Sequence, residues 1–198
     1  MKKYLLAMAL AVTASFSANA SYIQGVTGAD MVGVEVTVQL LQGGEESATW
    51  EFISGDMGGA FGASDWALTL DGDSFGDFDG TNFYGLFSFI NGGQDIIGIT
   101  IEALDAGFVF DTQFGIGTNG SGAGREFSTD LPGAIAYYDD FVEDELFGTL
   151  IIDAFVDAGQ SFGFLTDTDA LAEDVPAPAG LALLGLGLLG MRLSRRNK

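Results

Sequence analysis

The chain has 198 residues, no cysteine and no histidine, and a formal net charge of −21 at pH 7. These absences exclude a disulfide framework, a cysteine nucleophile, a Ser-His-Asp triad and a zinc site of the usual His/Cys kind. The charge is also unevenly placed. All 28 acidic residues lie between Asp30 and Asp174, while six of the seven basic residues sit at the two ends and Arg125 stands alone in the middle. Without its ends, the chain sets one positive residue against 28 negative ones, a net charge of −27. Such a body is repelled by nucleic acid and by anionic lipid, draws cations, and stays soluble outside the cell.

Residues 1–20 have the three parts of a secretory signal peptide. Lys2 and Lys3 form a positive start, residues 4–12 form an apolar core too short for a membrane span, and Ala18-Asn19-Ala20 is a small-x-small cleavage site. Cleavage after Ala20 makes Ser21 the mature N-terminus and implies passage through the Sec translocon and signal peptidase.

Residues 21–174 follow a period of two, the signature of half-buried strands. In residues 32–40, Val32, Val34, Val36, Val38 and Leu40 share one face and Gly33, Glu35, Thr37 and Gln39 the other. The Gly43-Gly44 pair then predicts a hairpin into residues 48–52, with Ala48, Trp50 and Phe52 on one side. Alternating or aromatic stretches recur at 66–70, 83–90, 96–104 (with Ile97, Ile99 and Ile101 inward), 108–110, 134–138, 147–152 and 161–165. About nine short strands with glycine-rich connections predict an all-β fold, an antiparallel β-sandwich of jelly-roll-like form. Residues 138–145 read as a solvated acidic loop.

Within this body, residues 71–80 are the densest acidic stretch. Asp71, Asp73, Asp77 and Asp79 in a glycine-rich loop form a candidate Ca²⁺ site, because hard cations take oxygens from carboxylates and backbone carbonyls. The EF-hand spacing is absent, since Phe75 and Asn82 occupy the fifth and twelfth positions. Weaker acidic candidates are Asp139, Asp140, Glu143, Asp144 and Glu145, and the pair Asp167 and Asp169. Trp50, Trp66, Tyr84, Tyr137 and Tyr138 could build a sugar-stacking platform, but the alternation assigns both tryptophans to the core. Paired carboxylates would allow a glycoside hydrolase, yet a chain with 28 acids offers such pairs by default. No catalytic constellation is recognisable, so the chain reads as a non-enzyme. No phosphate loop and no basic patch for nucleic acid occur.

The last 24 residues are built differently. Val175-Pro176-Ala177-Pro178 precedes an uncharged run, residues 179–191, and the chain ends on a basic tip at 192–198 with Arg192, Arg195, Arg196 and Lys198. Thirteen residues of helix span about 20 Å against a hydrocarbon core of about 30 Å. The run is therefore a marginal transmembrane helix, with its tip kept cytoplasmic by the positive-inside rule. This order resembles the PEP-CTERM sorting signal of exported proteins of Gram-negative bacteria. Val175, Pro176 and Pro178 match its opening, the Leu/Gly run at 183–190 its span, and Arg195-Arg196 its tip; Ala177 stands where the namesake motif has Glu. The resemblance implies cleavage near 175–178 by an exosortase-type membrane protease. It also implies an inner-membrane intermediate, a final place at the cell surface or outside the cell, and an association with extracellular polysaccharide and biofilm matrix. The body is similar to uncharacterised Gly/Asp-rich β-sandwich regions that precede this signal in other proteins. The sequence thus predicts an exported structural or matrix-associated protein, with a carbohydrate-binding module or a carboxylate-based glycoside hydrolase as alternatives.

Overall fold

The computed structural model describes residues 25–78, 83–112, 124–143 and 145–171. They lie within one compact unit, Ser21–Leu171. The signal peptide and the sorting segment fall outside the described residues. No helix among the described residues is long and apolar enough to cross a membrane.

Fifteen strands are described: β1 (Glu35–Leu40), β2 (Glu45–Thr49), β3 (Glu51–Ser54), β4 (Met57–Phe61), β5 (Trp66–Asp71), β6 (Asp77–Phe78), β7 (Phe83–Tyr84), β8 (Phe87–Asn91), β9 (Ile96–Glu102), β10 (Phe108–Asp111), β11 (Ser128–Thr129), β12 (Ile135–Glu143), β13 (Leu146–Val156), β14 (Ser161–Leu165) and β15 (Asp167–Ala170). A three-residue 3₁₀ turn, Leu104–Ala106, joins β9 to β10. The fold is all-β, with two main antiparallel sheets. The first runs β15-β10-β13-β9-β1-β2, with β12 on the other edge of β13. The second runs β11-β14-β8-β5-β4-β3, and β6 pairs with β7 apart from both.

The period of two explains the packing. Val36, Val38, Ile99, Ile101, Leu150 and Ile152 of the first sheet join Leu68, Leu70, Phe87, Phe89, Phe162 and Phe164 of the second in one hydrophobic cluster. In the second sheet the cross-strand pairs Phe89↔Phe162 and Phe87↔Phe164 face inward, with the Phe87 and Phe164 rings stacked at 5.0 Å. The expected hairpin joins β1 to β2, pairing Val36 with Ala48. Gly43 and Gly44 supply its turn at φ of 92° and 101°, a region open to glycine at little cost.

Trp50 is where the chain passes from the first sheet to the second. Its backbone still pairs with the start of β1, its N–H donating to the Val34 carbonyl at 2.7 Å. The next residue, Glu51, already pairs with Gly59 of β4. The indole is fully buried, donates from Nε1 to the Gly28 carbonyl at 2.8 Å, and meets Phe87 edge-on at 6.1 Å. A Cβ on Gly58 would fall 2.3 Å from that Nε1, so the indole fits only against a glycine.

Several expected details are corrected. The stretch 48–52 is two strands, and crossing at Trp50 leaves Phe52 59% exposed. Val32 lies outside β1 and is exposed, because a turn bonding Val34 N–H to the Met31 carbonyl precedes the strand. Ile97 points outward at 40% exposure while Ile96 is buried. Gln39 pairs with Gly98 and Leu40 with Ile96, so Ile97 is the extra residue of a bulge that resets the alternation. The stretch 83–90 breaks at Gly85, where φ is 68° and a Cβ would fall 1.8 Å from the Asp73 carbonyl oxygen. Most of residues 138–145 form strand rather than loop. β12 continues to Glu143 against β13, and a positive φ at Asp140 together with a register shift between Phe141 and Glu143 accommodates its acidic residues.

Trp50 predicts a clear contrast in stability. Trp50→Ala should cost about 3–5 kcal/mol, whereas Phe52→Ala, two residues on and exposed, should stay within about 0.5 kcal/mol. Urea denaturation of the two variants checks this.

Candidate functional site

The end of the first sheet concentrates acid where the interior is dry. β10 and β15 run antiparallel, with Asp111 directly opposite Asp167 and Val109 opposite Asp169. Side chains two apart on a strand share a face, so Asp111, Asp167 and Asp169 lie on one side of this ladder. Their exposures are 0%, 6% and 2%. Val109 on the same side packs against Leu146, Val142 and Leu171 in a small apolar cluster separate from the main core. Water is therefore scarce around all three carboxyls.

A turn after β5 closes the corner. Ser74, fully buried, donates from Oγ to the Thr168 carbonyl at 3.1 Å and to Asp167 Oδ1 at 3.3 Å. The same oxygen accepts the Thr168 backbone N–H at 3.1 Å. One side chain thus satisfies the backbone of β15 at an edge of the sheet. Asp73 beside it accepts the Phe75 N–H at 2.9 Å. Arg125, the one cation between residues 21 and 174, reaches this turn, its guanidinium donating to the Gly76 carbonyl at 3.2 Å and lying 4.8 Å over the Phe75 ring. Its backbone N–H donates to the Asp111 carbonyl at 2.9 Å. Gly124 passes so close to Asp111 that a Cβ there would stand 2.0 Å from Oδ1.

This crowding shows in the acid strengths. Burial pushes the Asp167 carboxyl up to about 8, and the charges of Asp169, Asp111 and Asp73 add to the rise. Burial likewise pushes Asp169 to about 6, with Asp111 and Asp73 contributing. Both values exceed the 3.8 of an ordinary aspartate. Above pH 4 the folded chain thus holds protons that the unfolded chain releases. The two groups favour the fold at low pH, and that contribution is lost as pH rises from about 4 through 6 and 8.

The structure redistributes the residues expected from sequence. Of the acidic stretch 71–80, Asp73 joins the corner, Asp71 is exposed at the end of β5, Asp77 opens β6, and Asp79 lies outside the described residues. Asp167 and Asp169, read from sequence as a separate candidate, come together with Asp73, and Asp111 is a new member. Among the described residues no three carboxylates stand within reach of one metal ion as placed. Asp139, Asp140 and Glu143 lie on β12. The aromatic platform does not assemble from the tryptophans, since Trp50 and Trp66 are both buried. Tyr138 packs against Phe110 and Phe147, and its hydroxyl accepts the Phe127 N–H at 2.9 Å. Tyr137 is exposed. The signal-cleavage residues Ala18, Ala20 and Ser21, the motif residues Val175, Pro176 and Pro178, and the tip residues Arg192, Arg195, Arg196 and Lys198 all lie outside the described residues.

Asp167→Asn removes the costliest charge while keeping the side chain's shape. In chelator at pH 8 it should raise the unfolding free energy by on the order of 1–3 kcal/mol, and the gain should vanish by about pH 4. Urea melts of the parent and the variant at both pH values measure the difference.

No curated protein and no solved structure matches the chain. Residues 174–197 match a known family, the PEP-CTERM protein-sorting motif. The match covers the Pro176–Pro178 pair, the leucine-rich run and the arginine tip, and it marks the chain as an exported protein sorted by an exosortase.

Proposed function

We propose that this protein is an exported structural component of the cell surface or extracellular matrix, and that its sorting segment serves only to deliver it. The observation that carries the reading is the sorting motif at residues 174–197, read with the charge pattern that surrounds it. The signal peptide takes the chain into the Sec translocon and is removed after Ala20. Residues 179–191 then halt in the inner membrane with Arg192, Arg195, Arg196 and Lys198 on the cytoplasmic side. An exosortase-type protease cuts near 175–178 and frees the body. Six of the seven basic residues leave with the two end segments. What remains is a polyanionic β-domain, a jelly-roll-like sandwich in this reading, held together without disulfides and acting as a scaffold rather than a catalyst.

A second reading, a glycan-binding module, is favoured by one row of side chains. Tyr137, Ile151, Thr100, Thr37 and Ser47 are cross-strand neighbours on the outward side of β12, β13, β9, β1 and β2. Thr37 and Ser47 share a hydrogen bond of 2.7 Å between their hydroxyls. A flat row of hydroxyls ending in an exposed tyrosine suits a sugar chain, which takes both hydrogen bonds and ring stacking. Carboxylates of Glu35, Glu102, Asp139 and Asp153 flank the row and would turn away acidic polysaccharides.

The sorting reading is tested in cells. Pro176→Ala/Pro178→Ala should accumulate as a larger, membrane-retained form, seen by immunoblot of membrane and medium fractions; normal processing of that variant would contradict it. For the second reading, Tyr137→Ala should weaken retention of the protein on a neutral-glycan array at least tenfold, and absence of any retention by the parent protein removes that reading.

A further inference from the structure

We infer that the acid corner at the end of the first sheet is a cation site, in which Asp111, Asp167 and Asp169, with Asp73 from the turn after β5, take one hard divalent ion of the calcium class. The inference starts from the pairing of the strands. Like charges directly opposite on neighbouring strands destabilise a sheet, and Asp111 faces Asp167 in this way. A third carboxylate, Asp169, stands on the same side of the same short ladder, so a bound cation there would meet three acidic groups at once.

A second observation points to a ligand independently of the charge count. Asp169 is 2% exposed, and its Oδ2 has no hydrogen-bond partner. A buried carboxylate oxygen in this state is costly unless it is protonated, paired or coordinates a metal. The register of the ladder places this side chain on the same side as Asp111 and Asp167. The carboxylates stand apart as placed, but an aspartate reorients about two side-chain bonds, and Oδ2 has no hydrogen bond to break. The donors are all oxygen, which selects a hard ion over a transition metal. Ca²⁺ accepts irregular sets of six to eight oxygens, whereas Mg²⁺ demands a near-ideal octahedron.

The ion would tie three segments that are distant in sequence: the turn holding Asp73, β10, and β15 as the last strand of the body. It would replace a repulsive contact with a clamp at the last of the described strands. The site differs from the one suggested by the run at residues 71–80, since exposed Asp71 has no part in it.

The test uses the full-length chain purified in detergent at pH 7.5. With about 1 mM Ca²⁺, the melting temperature should rise by about 5 °C over the value in chelator, and calorimetric titration should count one ion per chain. Asp169→Asn and the double variant Asp167→Asn/Asp169→Asn should weaken the calcium dissociation constant at least tenfold, while Asp71→Asn leaves it unchanged. The asparagine variants remove repulsion and so should be more stable than the parent in chelator; loss of the calcium response then reports loss of the site and not unfolding. Equal melting temperatures with calcium and chelator would overturn the inference. So would a response abolished by Asp71→Asn and kept by the Asp167/Asp169 double variant.

Discussion

The contact between the inward faces of the two sheets is what the rest of this protein depends on. The chain has no cysteine, so no disulfide can staple it, and the fold rests on apolar burial together with its hydrogen-bonded ladders. Phenylalanine carries much of that burial on the second sheet through Phe87, Phe89, Phe162 and Phe164, while valine and isoleucine carry it on the first. Large flat rings packed against branched side chains fill the space between two twisted sheets. Trp50 fixes how the sheets meet, because it is bonded to one, buried against the other, and follows directly on the strand that the chain is leaving.

The same core sets the terms for the charges. Among the described residues of a body with 28 carboxylates and one arginine, most acidic side chains reach water on outward strand positions and in turns. Among the described residues Glu145 and three aspartates at the β10–β15 ladder depart from this rule. The aspartates sit beside a small apolar cluster rather than beside solvent, and burial makes Asp167 and Asp169 hold their protons more tightly. Stability and electrostatics conflict at this ladder.

Much of the architecture was legible in the sequence because period-two alternation is a local signal. Val36 and Val38, Leu68 and Leu70, and Phe87 and Phe89 announce their strands and their inward faces without any knowledge of partners. What stayed hidden depends on pairing. The bulge that turns Ile97 outward exists because Gln39 and Leu40 take up Gly98 and Ile96. β4 hid behind two glycines that admit close neighbours, and β15, with aspartates at two of its four positions, has the composition of a loop. For the acid corner, the sequence displayed Asp73 and the Asp167–Asp169 pair as separate clusters. Only the antiparallel register that sets Asp111 against Asp167 brings them together, and no spacing along the chain encodes that. The sorting signal was fully legible, because it is read as a linear order of proline, leucine and arginine.

The strand order also governs when this protein can fold. β1 needs β9, β9 needs β13, β8 needs β14, and β10 needs β15, which ends at Ala170. Pairings this distant in sequence close slowly and late. Neither sheet is complete without the last described strands, and these lie just before the matched sorting motif. The topology thus makes the fold depend on the C-terminal end of the body, the part of the chain that borders the sorting motif.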